Sequence, residues 1–260
     1  MVSKETFILL HLAGSSRVTQ LCRAFTIKLT KTALALEYLP GGDFAGVLRA
    51  QGGKLSEERA RFYAVDIGLG LKYLNSKNVI HRDLKPENIL VTSNGHLKLS
   101  DFGLSEFVVF AVTGVCGTYP YMAPEMIMGE SYTYSVDWWS FGVTLFLMLT
   151  GKLPFYGKDK RQLFENIVYA TPDIPNWLGR ETRDCLFKLL QKCPDVRLGV
   201  DNFQYHPFFS CLQSSEPLAI ACGPSVVNTT AENEINYISG FSSLLSDDAN
   251  IIIADDALSN

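Results

Sequence analysis

Features that mark several special classes of protein are missing from these 260 residues. The six cysteines are scattered, with no Cys-x-x-Cys pair and no histidines at zinc-binding spacing, which indicates a reducing compartment and no structural zinc site. The longest apolar run, residues 141–149, is about half the length that a membrane span needs. Glu5 and His11 interrupt the apolar start of the chain, so we expect no signal peptide. These absences predict no membrane span and a cytoplasmic location, with the nucleus as the alternative.

Positive charge is missing from one whole segment. Residues 212–260 contain seven carboxylates and no Lys or Arg, whereas the preceding residues carry a net charge of +3. The Ser-rich, acidic composition without periodicity predicts a largely disordered tail. A mildly basic body favours anionic ligands, although a merely solvated tail is the more ordinary interpretation. The overall net charge of −4 excludes a globally basic protein, and we expect no nucleic-acid partner.

The apolar patterns predict short strands early in the chain and helices later. Residues 33–39 form a predicted buried strand that Pro-Gly-Gly ends. Ser56 caps a predicted long helix with an acidic first turn. Short extended runs follow at residues 79–80, 89–91 and 97–99, the last two joined by an Asn-Gly turn. Residues 137–150 are almost uniformly apolar, which predicts a buried helix.

The densest cluster of reactive side chains flanks the predicted hairpin. Residues 81–88 read His-Arg-Asp-Leu-Lys-Pro-Glu-Asn, and Asp-Phe-Gly follows at 101–103. Phosphoryl transfer needs a carboxylate that accepts a hydroxyl proton, hard oxygen ligands for a divalent cation, and a positive charge. A hairpin would bring Asn88 and Asp101 to the same side. The alternative, a charged loop that is only solvated surface, does not account for the full string with its spaced Asp-Phe-Gly.

These two motifs resemble the catalytic-loop and metal-loop signature of the protein kinases. Three further matches follow in order: Ala-Pro-Glu at 123–125, Asp-Trp-Trp-Ser at 137–140 and Arg-Leu-Gly at 197–199. The double Trp and the segments at 37–43, 116–118 and 206–209 are similar to the AGC group of serine/threonine kinases. Residues 238–243 are faintly similar to the hydrophobic motif that ends its ribosomal-protein-kinase branch. The resemblance runs from about residue 5 to residue 209.

The resemblance implies an α+β, protein-kinase-like fold in three parts. Residues 1–43 would be the remnant of the small lobe, with the end of the control helix, the last strands of a truncated sheet and the hinge. Residues 44–211 would form the large catalytic lobe, which is mostly helical, and residues 212–260 the acidic tail.

The resemblance also implies catalytic roles, with ATP and Mg²⁺ as cofactors and proteins as substrates. Asp83 would be the catalytic base, Lys85 would neutralise the transferring phosphate, and Thr118 would bridge the two. Asn88 and Asp101 would hold magnesium. The lysine two residues after the base, in a Lys-Pro context, indicates serine and threonine rather than tyrosine as acceptors.

Four further residues would belong to the nucleotide site by resemblance. Glu37 and Leu39 lie where the hinge offers backbone groups to adenine, and Asp43 where a carboxylate meets the ribose or a basic substrate residue. Glu87 belongs to the same site, and with Asp43 it suggests a preference for basic residues before the acceptor. Glu125 and Arg197 would form a buried ion pair under the activation segment.

The resemblance fails in the small lobe. No Gly-rich strand-turn-strand and no strand lysine precede the hinge, although Glu5 stands where the family has the ion-pairing glutamate of its control helix. Either the sequence is one product of a longer reading frame or it works without efficient catalysis. The alternative function is therefore a catalytically impaired kinase-like fragment that binds proteins.

The activation segment and the tail also depart from the family pattern. Gly114 stands where AGC kinases usually have the phosphorylated threonine, with Thr113 beside it, and Glu106 stands where a basic residue often helps to bind the phosphate. Arg82 remains to receive a phosphate. We expect phosphorylation by an upstream kinase to be absent or shifted to Thr113. Residues 238–243 faintly resemble a hydrophobic motif, but we interpret them as an ordinary Ser-rich stretch.

Overall fold

The computed structural model describes residues 3–27, 31–210 and 250–252. The helices are α1 (Lys4–His11), α2 (Phe44–Ala50), α3 (Glu57–Ser76), α4 (Pro124–Ile127), α5 (Ser135–Thr150), α6 (Lys160–Tyr169), α7 (Arg180–Leu189) and α8 (Pro207–Ser210). The strands are β1 (Leu21–Ile27), β2 (Lys31–Leu36), β3 (Val79–Ile80), β4 (Ile89–Val91), β5 (Leu97–Leu99), β6 (Glu106–Phe107) and β7 (Asn250–Ile252). Within these residues no helix has both the length and the apolar character that a membrane crossing requires.

The first part of the chain is a helix followed by a small antiparallel sheet with the strand order β2-β1-β7. The strand predicted at 33–39 is observed as β2, which begins at Lys31 and ends at Leu36. The prediction that residues 33–39 are buried is wrong, since they are half-buried or exposed on this small sheet. β7 pairs with β1 at Ala24, Phe25 and Thr26. This pairing lies within the segment predicted as a tail, and it covers one edge of β1. The rest of 212–260, including residues 238–243, lies outside the described residues.

The core is built around α5, which is buried along almost its whole length and packs on α3 and α7. Trp138 and Trp139 are its largest buried side chains, and Trp139 stacks on Phe155. α3 begins as the sequence predicts, because the Ser56 hydroxyl accepts a hydrogen bond from the Arg59 N–H. The mixed helix-and-sheet architecture confirms the α+β prediction.

A buried ion pair joins the segment after the activation loop to the end of α7. Arg197 donates to the two carboxylate oxygens of Glu125 at 2.6 and 3.0 Å, and the side chains are only 1% and 2% exposed. Arg197 also donates to the backbone carbonyls of Ser135, Gln191 and Lys192. The expected pair is therefore present, with its donors satisfied inside the core.

Substituting Glu125→Gln should strongly destabilise the protein, because it leaves the Arg197 charge buried without its counter-ion. We expect a loss of about 3–5 kcal/mol in the free energy of unfolding, measured by chemical denaturation. The matched control is Glu165→Gln, which breaks the exposed pair with Arg161 and should cost less than about 1 kcal/mol. Equal losses in the two variants would contradict this account.

Candidate active site

The hairpin of β4 and β5 sets the positions of the two expected metal ligands. Leu90 pairs with Lys98 across the hairpin, and the Ser100 N–H donates to the Asn88 carbonyl at 2.9 Å. Asn88 therefore enters β4 at the same end of the hairpin from which Asp101 leaves β5. This is the arrangement that the sequence predicts.

Each oxygen of the Asp83 carboxylate accepts two hydrogen bonds. Oδ1 accepts hydrogen bonds from the Thr118 N–H at 2.8 Å and the Thr118 hydroxyl at 2.7 Å. Oδ2 accepts from Lys85 Nζ at 2.8 Å and from Asn88 Nδ2 at 2.9 Å. Lys85 Nζ also donates to the Thr118 hydroxyl oxygen at 2.6 Å. The structure thus brings together four of the predicted site residues, from two loops far apart in sequence.

This cluster keeps Asp83 ionised. Burial alone would raise the pKa of Asp83, but hydrogen bonds from Lys85 and Thr118 and the charge of Lys85 outweigh it and lower the pKa below its ordinary value. The carboxylate is therefore a fixed acceptor at neutral pH, held in one orientation by its donors.

Asp137 of α5 holds the backbone of the catalytic loop. The sequence did not indicate this role of Asp137. Its carboxylate accepts the backbone N–H groups of His81 at 2.7 Å and Arg82 at 2.9 Å. Burial raises the pKa of Asp137, while the charges and N–H groups of His81 and Arg82 act in the opposite direction. The role could have been predicted from Asp137 being the single carboxylate in an otherwise apolar helix, since a buried charge needs buried hydrogen-bond partners.

Gly117 permits the close approach of the activation segment to the catalytic loop. It has a φ of 101°, and a Cβ built on it would lie 2.4 Å from the Arg82 carbonyl oxygen. Only glycine accepts both the left-handed backbone and this contact. The neighbouring Thr118 reaches Asp83 because this contact is possible.

Asp101 has a different environment from Asp83. It is exposed, and its Oδ1 accepts, among the described residues, only the Gly103 N–H, at 3.2 Å. Burial, followed by the charge of Asp101, raises the pKa of Glu5, so these two carboxylates lie near each other. Among the described residues no group of three or more His, Cys, Asp or Glu is arranged to hold a metal ion. Asn88 and Asp101 nevertheless fit Mg²⁺, which commonly takes one or two protein oxygens together with phosphate oxygens and water.

The hinge residues expected to bind nucleotide have side chains and backbone groups in different situations. The Glu37 carboxylate accepts from Lys98 Nζ at 2.7 and 2.8 Å and from the Gln20 N–H, which commits this side chain to the scaffold. Within the described part of the chain no hydrogen bond involves the Glu37 carbonyl or the Leu39 N–H. These two backbone groups at the hinge are therefore available to a ligand.

The other two residues predicted to bind nucleotide differ in whether their side chains already make contacts within the protein. The Asp43 carboxylate caps α2 by accepting the Gly46 N–H at 2.6 Å, and lies 3.7 Å from an Arg49 nitrogen. Glu87 lies in the short 3₁₀ turn Pro86–Asn88 and is exposed. Glu87 is thus free to meet a ligand without breaking a structural contact.

Comparison with known proteins decides the family. A family model described as the protein kinase domain matches residues 1–209. The chain belongs to the protein kinase family. The mouse protein kinase C delta type is 44% identical over 184 residues, which cover 69% of this chain and 27% of the relative.

Two other kinases are similar over much the same part of the chain. The cAMP-dependent protein kinase type 3 of Saccharomyces cerevisiae is 39% identical over 182 residues, which cover 68% of this chain and 46% of the relative. The chicken ribosomal protein S6 kinase 2 alpha is 40% identical over 190 residues, which cover 70% and 25% respectively. The chain thus spans less than half the length of these relatives. They confirm the AGC group, and the branch within it stays a prediction.

Substituting Thr118→Val should raise the pKa of Asp83. The change removes the hydroxyl that donates to Asp83 and accepts from Lys85 while keeping the side-chain shape, so burial then favours the neutral carboxyl. Carboxyl ¹³C chemical shifts followed against pH would measure the change. Thr92→Val in the β4–β5 turn is the control and should leave the Asp83 pKa where it is. A Thr118→Val variant that titrates like the wild type would contradict the assigned hydrogen bonds.

Proposed function

We propose that this member of the protein kinase family uses ATP and Mg²⁺ to phosphorylate serine and threonine hydroxyls of proteins. The observation that carries the proposal is the Asp83 carboxylate, held by Lys85, Asn88 and Thr118. A merely solvated charged loop would not satisfy every oxygen of a buried carboxylate from two separate segments.

Asp83 acts on the acceptor hydroxyl. The ionised carboxylate accepts a hydrogen bond from the hydroxyl and so orients its oxygen toward the γ-phosphorus. The new O–P bond forms while the bond to the leaving oxygen of ADP breaks, and Asp83 takes the hydroxyl proton. Because a lowered pKa makes Asp83 a weak base, its main contribution is orientation.

The remaining residues compensate charge and hold the nucleotide. Lys85 supplies a fixed positive charge to the transferring phosphate. Asn88 and Asp101 would hold Mg²⁺, and that ion, when bound, neutralises the charge of the phosphate oxygens. The Glu37 carbonyl and the Leu39 N–H would meet the donor and acceptor edge of adenine.

A second function, a catalytically impaired module that binds proteins, rests on the surroundings of Glu5. Among the described residues Glu5 lies beside the carboxylate of Asp101 instead of a lysine. A missing preorganised charge commonly costs about a hundredfold or more in rate. Slow transfer by this chain is therefore compatible with the site.

Substituting Asp83→Asn should abolish phosphoryl transfer to a peptide, measured with radiolabelled ATP, in a variant that still shows a cooperative thermal unfolding transition. Asp101→Asn should instead remove the magnesium-dependent thermal stabilisation by ATP. Asp195→Asn, in a turn far along the chain, is the control for both. Nucleotide stabilisation of the wild type without any transfer would favour the protein-binding module. Transfer that survives Asp83→Asn would overturn the proposed chemistry.

The proposal includes protein substrates with basic residues before the acceptor. Glu87 is the better candidate to recognise them, because Asp43 already caps α2. Activation by an upstream kinase at the exposed Thr113, and a cytoplasmic or nuclear location, stay predictions.

Substituting Glu87→Gln should reduce the preference for arginine over alanine before the acceptor by about tenfold, since a charged hydrogen bond contributes about 1.5–3 kcal/mol. The measurement is the ratio of kcat/KM for two matched peptides. The control Glu58→Gln, an exposed change on α3, should keep the ratio unchanged. A wild-type enzyme with no preference for basic peptides would refute this specificity.

A further inference from the structure

Glu106 lies between the catalytic loop and α1. It belongs to β6, which pairs with β3 immediately before the catalytic loop, with Ile80 opposite Glu106. Its Oε2 accepts a hydrogen bond from Lys4 Nζ at 2.8 Å and lies 3.6 Å from Arg82 Nη2. One carboxylate therefore meets cations from two separate elements.

The Arg82 guanidinium needs such a partner. Its side chain is only 10% exposed, and its Nε donates to the Leu104 carbonyl at 2.6 Å. A carbonyl satisfies a donor but does not balance the charge, and an uncompensated charge at this degree of burial is costly. The nearby Asp137 carboxylate is occupied by the backbone N–H groups of the loop. The carboxylate that pairs with the Arg82 side chain is that of Glu106.

The backbone conformation of Arg82 connects its ion pair with Glu106 to the position of Asp83. Arg82 has a φ of 68°, an unfavourable conformation for a residue with a side chain, and it immediately precedes Asp83. The N–H bond to Asp137 and the side-chain contacts to Leu104, Tyr132 and Glu106 hold it there. Loss of the Glu106 carboxylate would remove the ion-pair partner of this side chain and so loosen one of the restraints on the strained residue.

Strand β6 also contacts α1 through Phe107, the residue after Glu106. The ring of Phe107 contacts Phe7 and His11 of α1 edge-on, with centroids 5.7 and 5.2 Å apart. The hydrogen bond from Lys4, together with the charges of Lys4 and Arg82, lowers the pKa of Glu106 despite partial burial. Glu106 is therefore ionised at neutral pH and connects α1 to the catalytic loop.

We propose that Glu106 is a positioning residue for phosphoryl transfer: through Arg82 it fixes Asp83 and links the loop to α1 without a phosphate on the activation segment. The inference rests on the proposed function and adds its regulation. A phosphate on the exposed Thr113 would have to compete with Glu106 for Arg82. Activity should therefore not require phosphorylation of the activation segment.

The test uses the full 260-residue chain, treated with phosphatase and shown by mass spectrometry to carry no phosphate. Glu106→Gln should lower kcat about a hundredfold, as small misplacements of a catalytic group do, with the KM for ATP unchanged. Proton exchange at Arg82 Nε, followed by ¹⁵N NMR, should become faster in the same variant. Glu165→Gln, which also removes a carboxylate from an ion pair, is the control and should change neither quantity.

A double variant with exchanged charges tests whether Glu106 positions Asp83 or only attaches α1. The double variant Lys4→Glu with Glu106→Lys keeps an ion pair to α1 but places a cation beside Arg82. We expect it to be as slow as Glu106→Gln. A double variant with wild-type activity would overturn the proposal, because the attachment of α1 would then be the whole role of Glu106.

The remaining outcomes separate this inference from the proposed function. Unchanged kcat in Glu106→Gln, or activity of the wild type only when Thr113 is phosphorylated, overturns the positioning role. If the wild type transfers no phosphate in either state, the proposed function fails and NMR alone decides. Faster Arg82 Nε exchange in Glu106→Gln but not in Glu165→Gln then supports the role of Glu106, and equal exchange in all three proteins overturns it.

Discussion

The site depends on one buried contact, the carboxylate of Asp137 with the backbone N–H groups of His81 and Arg82. A buried carboxylate is costly without donors, and a residue at positive φ is costly without restraints. Each meets the need of the other here, because the two N–H groups converge on the carboxylate while Arg82 has a φ of 68°. The buried helix α5 thereby restrains an unfavourable backbone conformation in the loop.

The geometry of Asp83 follows from that anchor. The loop places its carboxylate where Lys85 and Asn88 approach from one side, and Gly117 lets Thr118 approach from the other. A buried carboxylate with four donors is both rigid and ionised, which suits an acceptor that orients a hydroxyl. The preorganisation therefore comes from the core and from a glycine, neither of which contacts a substrate.

The sequence indicates well which residues of the motif lie together, and it indicates their surroundings poorly. Asp83, Lys85 and Asn88 were identifiable because a short string fixes their relative positions, and the Asn-Gly turn indicated the hairpin. The ion pair between Glu37 and Lys98 and the pairing of β7 with β1 were not identifiable. Both join segments far apart in sequence, and no local periodicity encodes such contacts.

Charge compensation distinguishes this site from an ordinary charged surface. Asp83 is matched by Lys85, and Glu106 by Lys4 and Arg82. Within the described residues Asp101 has no ion pair, and burial, followed by the charge of Asp101, raises the pKa of the neighbouring Glu5. The loop at 101–103 therefore carries uncompensated negative charge, whereas Asp83 is paired with Lys85. A divalent cation at Asp101 would relieve that repulsion, so the electrostatics favour a cation where phosphoryl transfer needs one.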